Sequence, residues 1–197
     1  MTSRGDAAIR ADVARMTFGV VGTGVMVGTL SDSFNCLGGA AAGVASGDLP
    51  AGITVLEEGP CADGRTDEGR GMMEIIHDIA PGTTQAFHTA EGGQANFAQG
   101  IIDLANAGAK VINDDIIYFA EPFYQDGIIA QAVNTVKGMG VAYFSSAGND
   151  GRQAYESPFV RAGSSSTSAP GRKSCTTSIR VPVSIPASRS PSRWVVP

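Results

Sequence analysis

The residues most able to do acid–base chemistry follow the ends of predicted structural elements. Asp32 follows an apolar segment, Glu68 lies in the first turn of a predicted helix, and Asn113-Asp114-Asp115 follows a second apolar segment. A carboxyl group can act as a general base or acid when its surroundings hold its pKa near the working pH. Asn149 adds an amide that could donate a hydrogen bond to an anion. These residues are therefore the first candidates for a functional site.

One amphipathic helix is predicted from Thr66 to a stop at Pro81-Gly82. Thr66 suits the N-cap position because its hydroxyl can accept a hydrogen bond from a free first-turn N–H. Apolar residues spaced at i, i+3, i+4 and i+7 predict its buried stripe, which is Met72, Ile75, Ile76 and Ile79. Glu68 lies four residues before Met72, so we expect its side chain to face the protein body.

Such a position would act on the pKa of Glu68 in two opposite directions. Burial raises the pKa of a carboxyl group, whereas the positive end of the helix lowers it. A balance of this kind suits a general base. The alternative is an ordinary first-turn glutamate that only complements the helix dipole.

Length and composition limit the classes of protein to consider. The chain has 197 residues, of which 43% are apolar, and this suffices for one domain with a core. The net charge of −5 argues against a nucleic-acid partner. No run of about 18 apolar residues predicts a membrane span, and the segment before Met16 lacks the apolar centre of a signal peptide. No cofactor is predicted.

The three cysteines predict no metal site. Cys36, Cys61 and Cys175 form no CxxC pair and no Cys/His cluster, so zinc is not expected. Cys36 and Cys61 could pair if their loops meet. Two ordinary thiols are the preferred interpretation, and the odd number leaves Cys175 over in either case.

Short apolar strands alternate with longer helices along the chain. Strands are predicted at 25–30, 53–56, 84–89, 110–112 and 141–144, and helices near 7–16 and at 36–46, 66–80, 94–107 and 124–137. This alternation is typical of an α/β fold, a three-layer parallel β-sheet with helices on both faces. Sites in such sheets form beyond the carboxyl ends of the strands. We therefore expect the candidate residues to converge there: Asp32, Glu68, Asp114, Asp115 and Asn149.

The chain changes character after Pro158. The segment 159–197 contains six of the 14 Lys and Arg residues and none of the 19 acidic residues, and it is rich in Ser and Pro. This composition predicts disorder, and the abrupt change also fits a reading-frame break or a truncation. The predicted organisation is an N-terminal extension at 1–15, one α/β domain at 16–158 that is incomplete at its C-terminus, and this tail at 159–197.

Four segments together resemble the subtilisin-like serine peptidases. Residues 27–33 are similar to the strand that presents the aspartate of that family, and residues 79–82 to the turn after its histidine helix. Residues 111–113 are similar to its central strand, and residues 146–151 to its oxyanion-hole segment. The resemblance implies a subtilisin-like fold, a serine-type endopeptidase that carries out proteolysis, and a polypeptide substrate.

The histidine box of that family is replaced in this chain. The matching pair is Glu68-Gly69, and neither histidine of the chain falls in that place. Related sedolisin peptidases use a Ser-Glu-Asp set, so the resemblance implies Glu68 as general base or acid and Asp32 as its charge partner. Two nearby carboxyl groups share protons, which favours activity at acidic pH. Asp67 is the fallback for the base, although its helical phase turns it further from the buried stripe.

The nucleophile box of the family has no good match. Residues 166–170 imitate its Gly-Thr-Ser sequence, but Ser168 lies only 19 residues after Asn149, and serine stands where glycine belongs. No strand is predicted before this segment and no apolar helix after it. We therefore do not assign Ser168 as the nucleophile, and we expect little or no proteolysis from this chain.

The remaining candidates have two interpretations each. The resemblance implies that Asn149 donates to the oxyanion of a tetrahedral intermediate, and the alternative is a simple turn residue. Asp114 and Asp115 could line a subsite for basic side chains, tune Glu68 or bind a hard cation, or they could only cap a loop edge. No metal ligand is assigned. His77 is expected to be a structural cation near a helix end.

Two other classes of protein share parts of this pattern. A dinucleotide-binding loop at 22–28 is rejected, because Val27 stands where the third glycine belongs and the loop precedes its strand. A non-catalytic α/β binding module of the flavodoxin-like or periplasmic-binding type remains the alternative. Geometry should decide between the two: the peptidase requires the carboxyl groups of Asp32 and Glu68 within hydrogen-bonding reach and Asn149 in the same cleft.

Overall fold

A computed structural model describes residues 4–62, 64–122 and 124–149 of the chain. Its elements, in chain order, are α1 (Arg4–Ala8), α2 (Ala11–Phe18), β1 (Met26–Ser31), α3 (Ala40–Ser46), β2 (Thr54–Glu57), α4 (Glu68–Ile79), β3 (Thr84–Thr89), α5 (Gly93–Asn106), β4 (Val111–Asp114), α6 (Ile128–Gly138) and β5 (Ala142–Ser145). Two compact units divide the chain, Met1–Ala147 and Gly148–Pro197. All of these elements belong to the first unit.

The five strands form one parallel sheet in the order β2-β3-β1-β4-β5. Strand β1 lies at the centre, where Leu30 pairs with His88 of β3 on one side and with Asp114 of β4 on the other. All five carboxyl ends therefore face the same edge, and β1 delivers Asp32 to the middle of that edge. The predicted α/β fold with a parallel sheet is confirmed.

Helices cover both faces of the sheet, as adjacent residues of β3 demonstrate. Ala86 belongs to a core cluster that includes residues of α5 and α6, while Phe87 belongs to a second cluster with Met73 of α4. Neighbouring residues of a strand point to opposite faces, so these clusters lie on opposite sides of the sheet. Both side chains are fully buried. The layers are helix, sheet and helix.

Helix α3 begins later than its composition predicts, at Ala40 instead of residue 36. The side-chain oxygen of Asn35 accepts a hydrogen bond from the Ala40 N–H at 2.9 Å, and Gly38 adopts a positive φ of 78°. The intervening residues therefore form a turn. Helix α6 likewise begins at Ile128 and not at residue 124.

The predicted phase of α4 is wrong by one residue. Met73 is fully buried, whereas Ile75 of the expected stripe is 47% exposed. Thr66 is not the N-cap, because the helix begins at Glu68 and the capping position is held by Asp67 in a left-handed conformation with φ 53°. Gly69 and Met73 therefore face the sheet, one turn apart.

Gly69 is the point of closest approach between α4 and the sheet. A Cβ atom at Gly69 would lie 2.4 Å from a ring carbon of Phe87 and 2.8 Å from the carbonyl oxygen of Ser33. At Gly71, in the same helix, a Cβ would meet nothing within 4 Å.

These two glycines provide a matched pair for mutation. Gly69→Ala should lower the free energy of unfolding by about 2 kcal/mol, because the methyl group must displace a buried ring or a backbone oxygen. Gly71→Ala should raise it by up to about 1 kcal/mol, since alanine is the better helix former. Urea denaturation of both variants measures the difference, and equal effects would contradict the placement of α4.

The N-terminal helices contact α4. Arg15 donates hydrogen bonds to the carboxylate of Asp6 at 2.6 and 2.8 Å and to the carbonyl oxygen of Ile79 at 2.7 Å. Asp6 is buried.

The division of the chain at residues 15 and 158 stays a prediction, and the tail at 159–197 lies outside the described residues.

Cys36 and Cys61 form a disulfide, with their Cα atoms 5.0 Å apart. The preferred interpretation of two ordinary thiols is therefore wrong. The bond joins the turn before α3 to the loop after β2, and it closes a covalent loop with a sequence separation of 25.

Candidate active site

Asp32 follows the last residue of β1 and is half-buried. Its Oδ1 accepts hydrogen bonds from the N–H groups of Ser33 at 2.5 Å and Glu68 at 2.9 Å. Its Oδ2 accepts from the N–H of Thr66 at 2.8 Å and from the Thr66 hydroxyl at 3.0 Å. One carboxylate thus fixes the start of α4 against the carboxyl edge of the sheet.

These hydrogen bonds keep Asp32 ionised. Partial burial raises its pKa, but the bonds from the Thr66 backbone, the Thr66 hydroxyl, Ser33 and Glu68 together lower it by more, so the pKa lies below its ordinary value. Asp32 is therefore an anion at neutral and mildly acidic pH.

Glu68 is exposed, so the expectation that its side chain faces the protein body is wrong. The helix begins only at Glu68, after the left-handed Asp67, and its inward face is the one that carries Gly69 and Met73. Asp32 contacts Glu68 through the backbone N–H. Within the described segments, no hydrogen bond joins the two carboxyl groups, so the direct contact between them that was expected of a peptidase is not observed.

Asp67 is the acid that the protein body encloses, which corrects the expectation that its phase turns it away. Its carboxylate accepts hydrogen bonds from the Ser33 hydroxyl at 3.0 Å and from the N–H groups of Cys36 and Leu37 at 2.8 and 3.0 Å. It also forms an ion pair with Arg70. With its side chain fully buried and so many donors around it, Asp67 is suited to hold the 33–37 turn in place and not to exchange protons with a substrate.

Asp115 lies just beyond β4 and is the second acid near Glu68. Its Oδ2 accepts a hydrogen bond from the Ser31 hydroxyl at 3.0 Å, while its Oδ1 is buried with no partner among the described residues. Burial raises the pKa of Asp115 and the charges of Glu68 and Asp114 add to this, while the Ser31 hydroxyl and the backbone N–H of Asp115 itself lower it, and the result is a pKa of about 6.

Asp114 is the last residue of β4, and its side chain contacts polar side chains of β5. It accepts hydrogen bonds from the hydroxyl groups of Tyr143 at 2.6 Å and Ser145 at 2.9 Å. Burial raises its pKa, and the hydrogen bonds from Tyr143, Ser145 and the Ile116 N–H offset only part of this effect.

A cavity of about 530 Å³ opens beside Asp114. Its walls include apolar side chains of α6 and of the segment after β4, and its acidic lining residues are Asp114, Glu121 and Asp126. No lysine or arginine is found among the described residues that line it. The cavity can therefore accept a side chain with an apolar stem and a positive end.

The two histidines lie outside this group. His88 is buried in β3, where its Nδ1 lies 2.8 Å from the Thr89 carbonyl oxygen and its Nε2 lies 3.3 Å from a Glu57 carboxylate oxygen. His77 lies in the last turn of α4, in agreement with the structural position expected for it.

The roles predicted for Asn149 and Ser168 are not tested by this geometry. Asn149 belongs to the second unit, and its role as an oxyanion donor stays a prediction. Ser168 lies outside the described residues.

The part of the chain that is described contains no group of three or more His, Cys, Asp or Glu residues arranged to hold a metal ion. Nor does it include a helix with the length and apolar character needed to cross a bilayer.

The hydrogen bonds that Ser31, Ser33 and Thr66 donate to these acids could not be predicted from the sequence. All three supply hydroxyl groups to acids of the site: Ser31 to Asp115, Ser33 to Asp67 and Thr66 to Asp32. The only available signal was the pair of serines on either side of Asp32, directly after an apolar strand.

Three solved structures of proteases resemble the chain. A lanthipeptide protease is 25% identical with a TM-score of 0.55, and the match covers 74% of this chain and 45% of that one. The self-cleaved protease domain of PatA is 23% identical with a TM-score of 0.50, covering 67% and 52%. MycP1 with its N-terminal propeptide removed is 16% identical with a TM-score of 0.50, covering 78% and 51%.

These similarities establish a subtilisin-like fold. The chain spans about half the length of the solved structures that it matches. No protein-family model matches the chain, and no curated protein matches it either.

Proposed function

We propose that this domain is the acid–base part of a serine-type endopeptidase, with Glu68 as general base, Asp32 as the residue that positions it and Asn149 as the oxyanion donor. The substrate class is a polypeptide. The single observation on which this rests is that the Asp32 carboxylate receives the backbone N–H of Glu68 at the carboxyl edge of the sheet. The sequence resemblance described above assigns these two residues to the aspartate and histidine-box positions of the subtilisin-like peptidases.

The exposure of Glu68 supports the same assignment. A general base must reach the proton that it removes, which belongs to the nucleophile or to a water molecule. Glu68 is open to solvent, while Asp32 accepts its backbone N–H and the preceding residue, Asp67, is buried. The carboxyl group of Glu68 is therefore accessible, while its backbone is held in place by Asp32.

The cavity beside Asp114 supports a polypeptide substrate with a basic or apolar side chain. It adjoins the carboxyl ends of β4 and β5, where a peptide laid along the sheet edge would pass. The acids that line it would favour a positive group, while Ile129 and Val133 would contact the aliphatic stem.

We further propose that this chain hydrolyses peptides poorly. The sequence around Ser168 departs from the nucleophile box, and without a serine activated by a base the covalent step of acyl transfer is lost. The site would then bind a peptide without cleaving it efficiently.

A paired assay tests the proposal. The purified chain is incubated with casein at pH 4.5 and pH 7.5, and with a fluorophosphonate probe that labels activated serines. In parallel, binding of fluorescent Lys-containing and Glu-containing peptides is measured by anisotropy. We expect little cleavage, no labelling, and tighter binding of the Lys-containing peptide. Glu121→Gln should reduce that preference, and Asp103→Asn on α5, which does not line the cavity, is the matched control.

Each other outcome is decisive. Casein cleavage that Glu68→Gln abolishes, together with probe labelling of Ser168, would overturn the expected inactivity and support the peptidase. Neither cleavage nor peptide binding at either pH would overturn the peptidase itself and leave the α/β binding module as the alternative. None of the three solved structures described above is such a module.

A further inference from the structure

The Cys36–Cys61 disulfide joins the two segments that enclose Asp32. Cys36 lies in the turn that follows Asp32, and Cys61 lies in the loop after β2. The same loop approaches Asp32 so closely at Gly59 that a Cβ atom there would collide with the Asp32 carbonyl oxygen. It then leads to Thr66, whose N–H and hydroxyl both donate to the Asp32 carboxylate. The covalent bond therefore connects the segments that hold this carboxylate in place.

Two carboxylates bind the backbone of the turn after β1. Glu58, in the loop after β2, accepts hydrogen bonds from the N–H groups of Phe34 at 2.8 Å and Asn35 at 2.9 Å. Asp67, which precedes α4, accepts the N–H of Cys36 at 2.8 Å. Cys36 is thus fixed to the loop by its sulfur and to the start of α4 by its backbone. A displacement of the loop should therefore also displace the start of α4.

The stretch that the disulfide encloses has few buried side chains. Within α3 only Gly43 is buried, and all four residues of β2 are exposed. Strand β2 lies at the edge of the sheet, where it pairs with β3 and has no second neighbour among the described strands. Leu49, between the two elements, supplies a fully buried side chain that packs with Met73 and Phe87. A stretch with so little buried surface can open while the rest of the sheet stays closed, and the disulfide restricts that opening.

We propose that Cys61 is a site of thiol–disulfide exchange, and that reduction of its bond by a dithiol releases the loop after β2 and, with it, the start of α4. Cys61 is exposed to solvent whereas Cys36 is half-buried, so a reductant reaches the Cys61 sulfur first. The role of α4 in catalysis rests on the proposed function, but the opening is a property of the chain that needs no activity.

The exchange takes place in two steps. A thiolate of the reductant attacks the Cys61 sulfur, forms a mixed disulfide with it and expels the Cys36 thiolate. The second thiolate of the reductant then attacks the reductant's own sulfur in that mixed disulfide and expels the Cys61 thiolate. The two cysteine thiolates take up the two protons that the reductant has lost. The reductant is oxidised by two electrons to a disulfide, and the bond between Cys36 and Cys61 is reduced by the same two electrons.

Amide hydrogen exchange of the full chain tests the opening, in a Cys175→Ser background so that only the paired cysteines remain. Samples with and without dithiothreitol are compared by NMR in the absence of denaturant. Reduction should accelerate exchange of the Cys36 and Glu68 N–H groups by about a hundredfold, which is the constraint expected of a disulfide across a loop of this length. The N–H groups of β4 that bond to β1 should exchange more slowly than both. Reoxidation should restore the protection, and the double variant Cys36→Ser with Cys61→Ser should match the reduced protein.

A monothiol identifies the sulfur that is attacked. The oxidised protein is treated briefly with glutathione, quenched with acid and digested, and the mixed disulfide is located by mass spectrometry. We expect the glutathione adduct on Cys61, because that residue is the exposed one of the pair. An adduct on Cys36 would contradict the assignment of Cys61.

Unchanged exchange at Cys36 and Glu68 after reduction would overturn the opening. Equal rates at those positions and in β4 of the reduced protein would also overturn it, because the disulfide would then support only the domain as a whole. Acceleration confined to Cys36 and Glu68, in a chain that neither binds nor cleaves peptides, would keep the redox-controlled opening and reject the peptidase. Peptide binding with unchanged exchange would reject the opening and leave the proposed function in place.

Discussion

Asp67→Ala should lower the free energy of unfolding by about 3–5 kcal/mol, because it breaks a buried ion pair and leaves its partner without compensation. The Asp67 side chain is fully buried, and that of Arg70 is only 16% exposed. The same change removes the acceptor for the Ser33 hydroxyl and for the N–H groups of Cys36 and Leu37. Urea denaturation with fluorescence or circular dichroism detection measures the loss.

Two further variants separate the causes of this loss. Asp67→Asn keeps one acceptor oxygen, so it should lower the free energy of unfolding by less than Asp67→Ala does. The double variant Asp67→Ala with Arg70→Met removes the orphaned charge, so it should be more stable than the sum of the single changes predicts. Simple additivity would mean that the ion pair contributes little and that the backbone hydrogen bonds hold the turn.

Asp67 also makes the free energy of unfolding depend on pH. Burial raises the pKa of Asp67, but the hydrogen bonds from Leu37, Arg70 and Ser33 and the charge of Arg70 lower it by more, so the folded-state pKa lies below the ordinary value. A depressed pKa contributes stability above the unfolded pKa, which is lost as the pH falls below about 4. Asp67→Ala should lose this part of the acid dependence.

Removal of the Cys36–Cys61 disulfide should cost about 3 kcal/mol, because the unfolded chain regains the entropy of a loop with a separation of 25 residues. The double variant Cys36→Ser with Cys61→Ser should have a lower urea midpoint than the oxidised protein. A reductant should produce the same shift in the wild type.

Cys175→Ser is the matched control, because it removes a thiol and leaves the disulfide intact. It should leave the midpoint where it was, both with and without reductant. A double variant as stable as the oxidised wild type would show that the two thiols are not paired in solution.

The strands and their parallel arrangement could be predicted from the sequence, since buried apolar segments alternate with longer helical patterns. Strand β3 was predicted with its observed bounds, Thr84–Thr89. The sheet order could not be predicted, because apolar strands such as β2 and β5 look alike in a pattern that contains no information on partners.

The error in α4 has a definite physical origin. A periodic pattern assumes a regular helix from its first residue, whereas Asp67 adopts a positive φ that a residue other than glycine rarely takes. The inward face is set by the close approach of α4 to the sheet at Gly69, which buries Met73 and not Met72 and leaves Glu68 exposed. The buried network around Asp67 compensates for the strained backbone, and those contacts come from residues more than thirty positions away.

The association of Asp115 with Ser31 was equally inaccessible from the sequence. The two residues are 84 positions apart, and their contact depends on the register of β1 against β4. A shift by one residue would turn each side chain to the opposite face. The disulfide required the same kind of spatial information, because two cysteines can pair only when their Cα atoms come within several ångströms.

The covalent loop between Cys36 and Cys61 encloses α3 and β2. A protease that cuts the chain anywhere within this stretch leaves both fragments joined, and they migrate as one band on an unreduced gel. Damage or self-processing in this stretch would become visible only after reduction. Intactness of the purified protein therefore has to be judged on reduced samples.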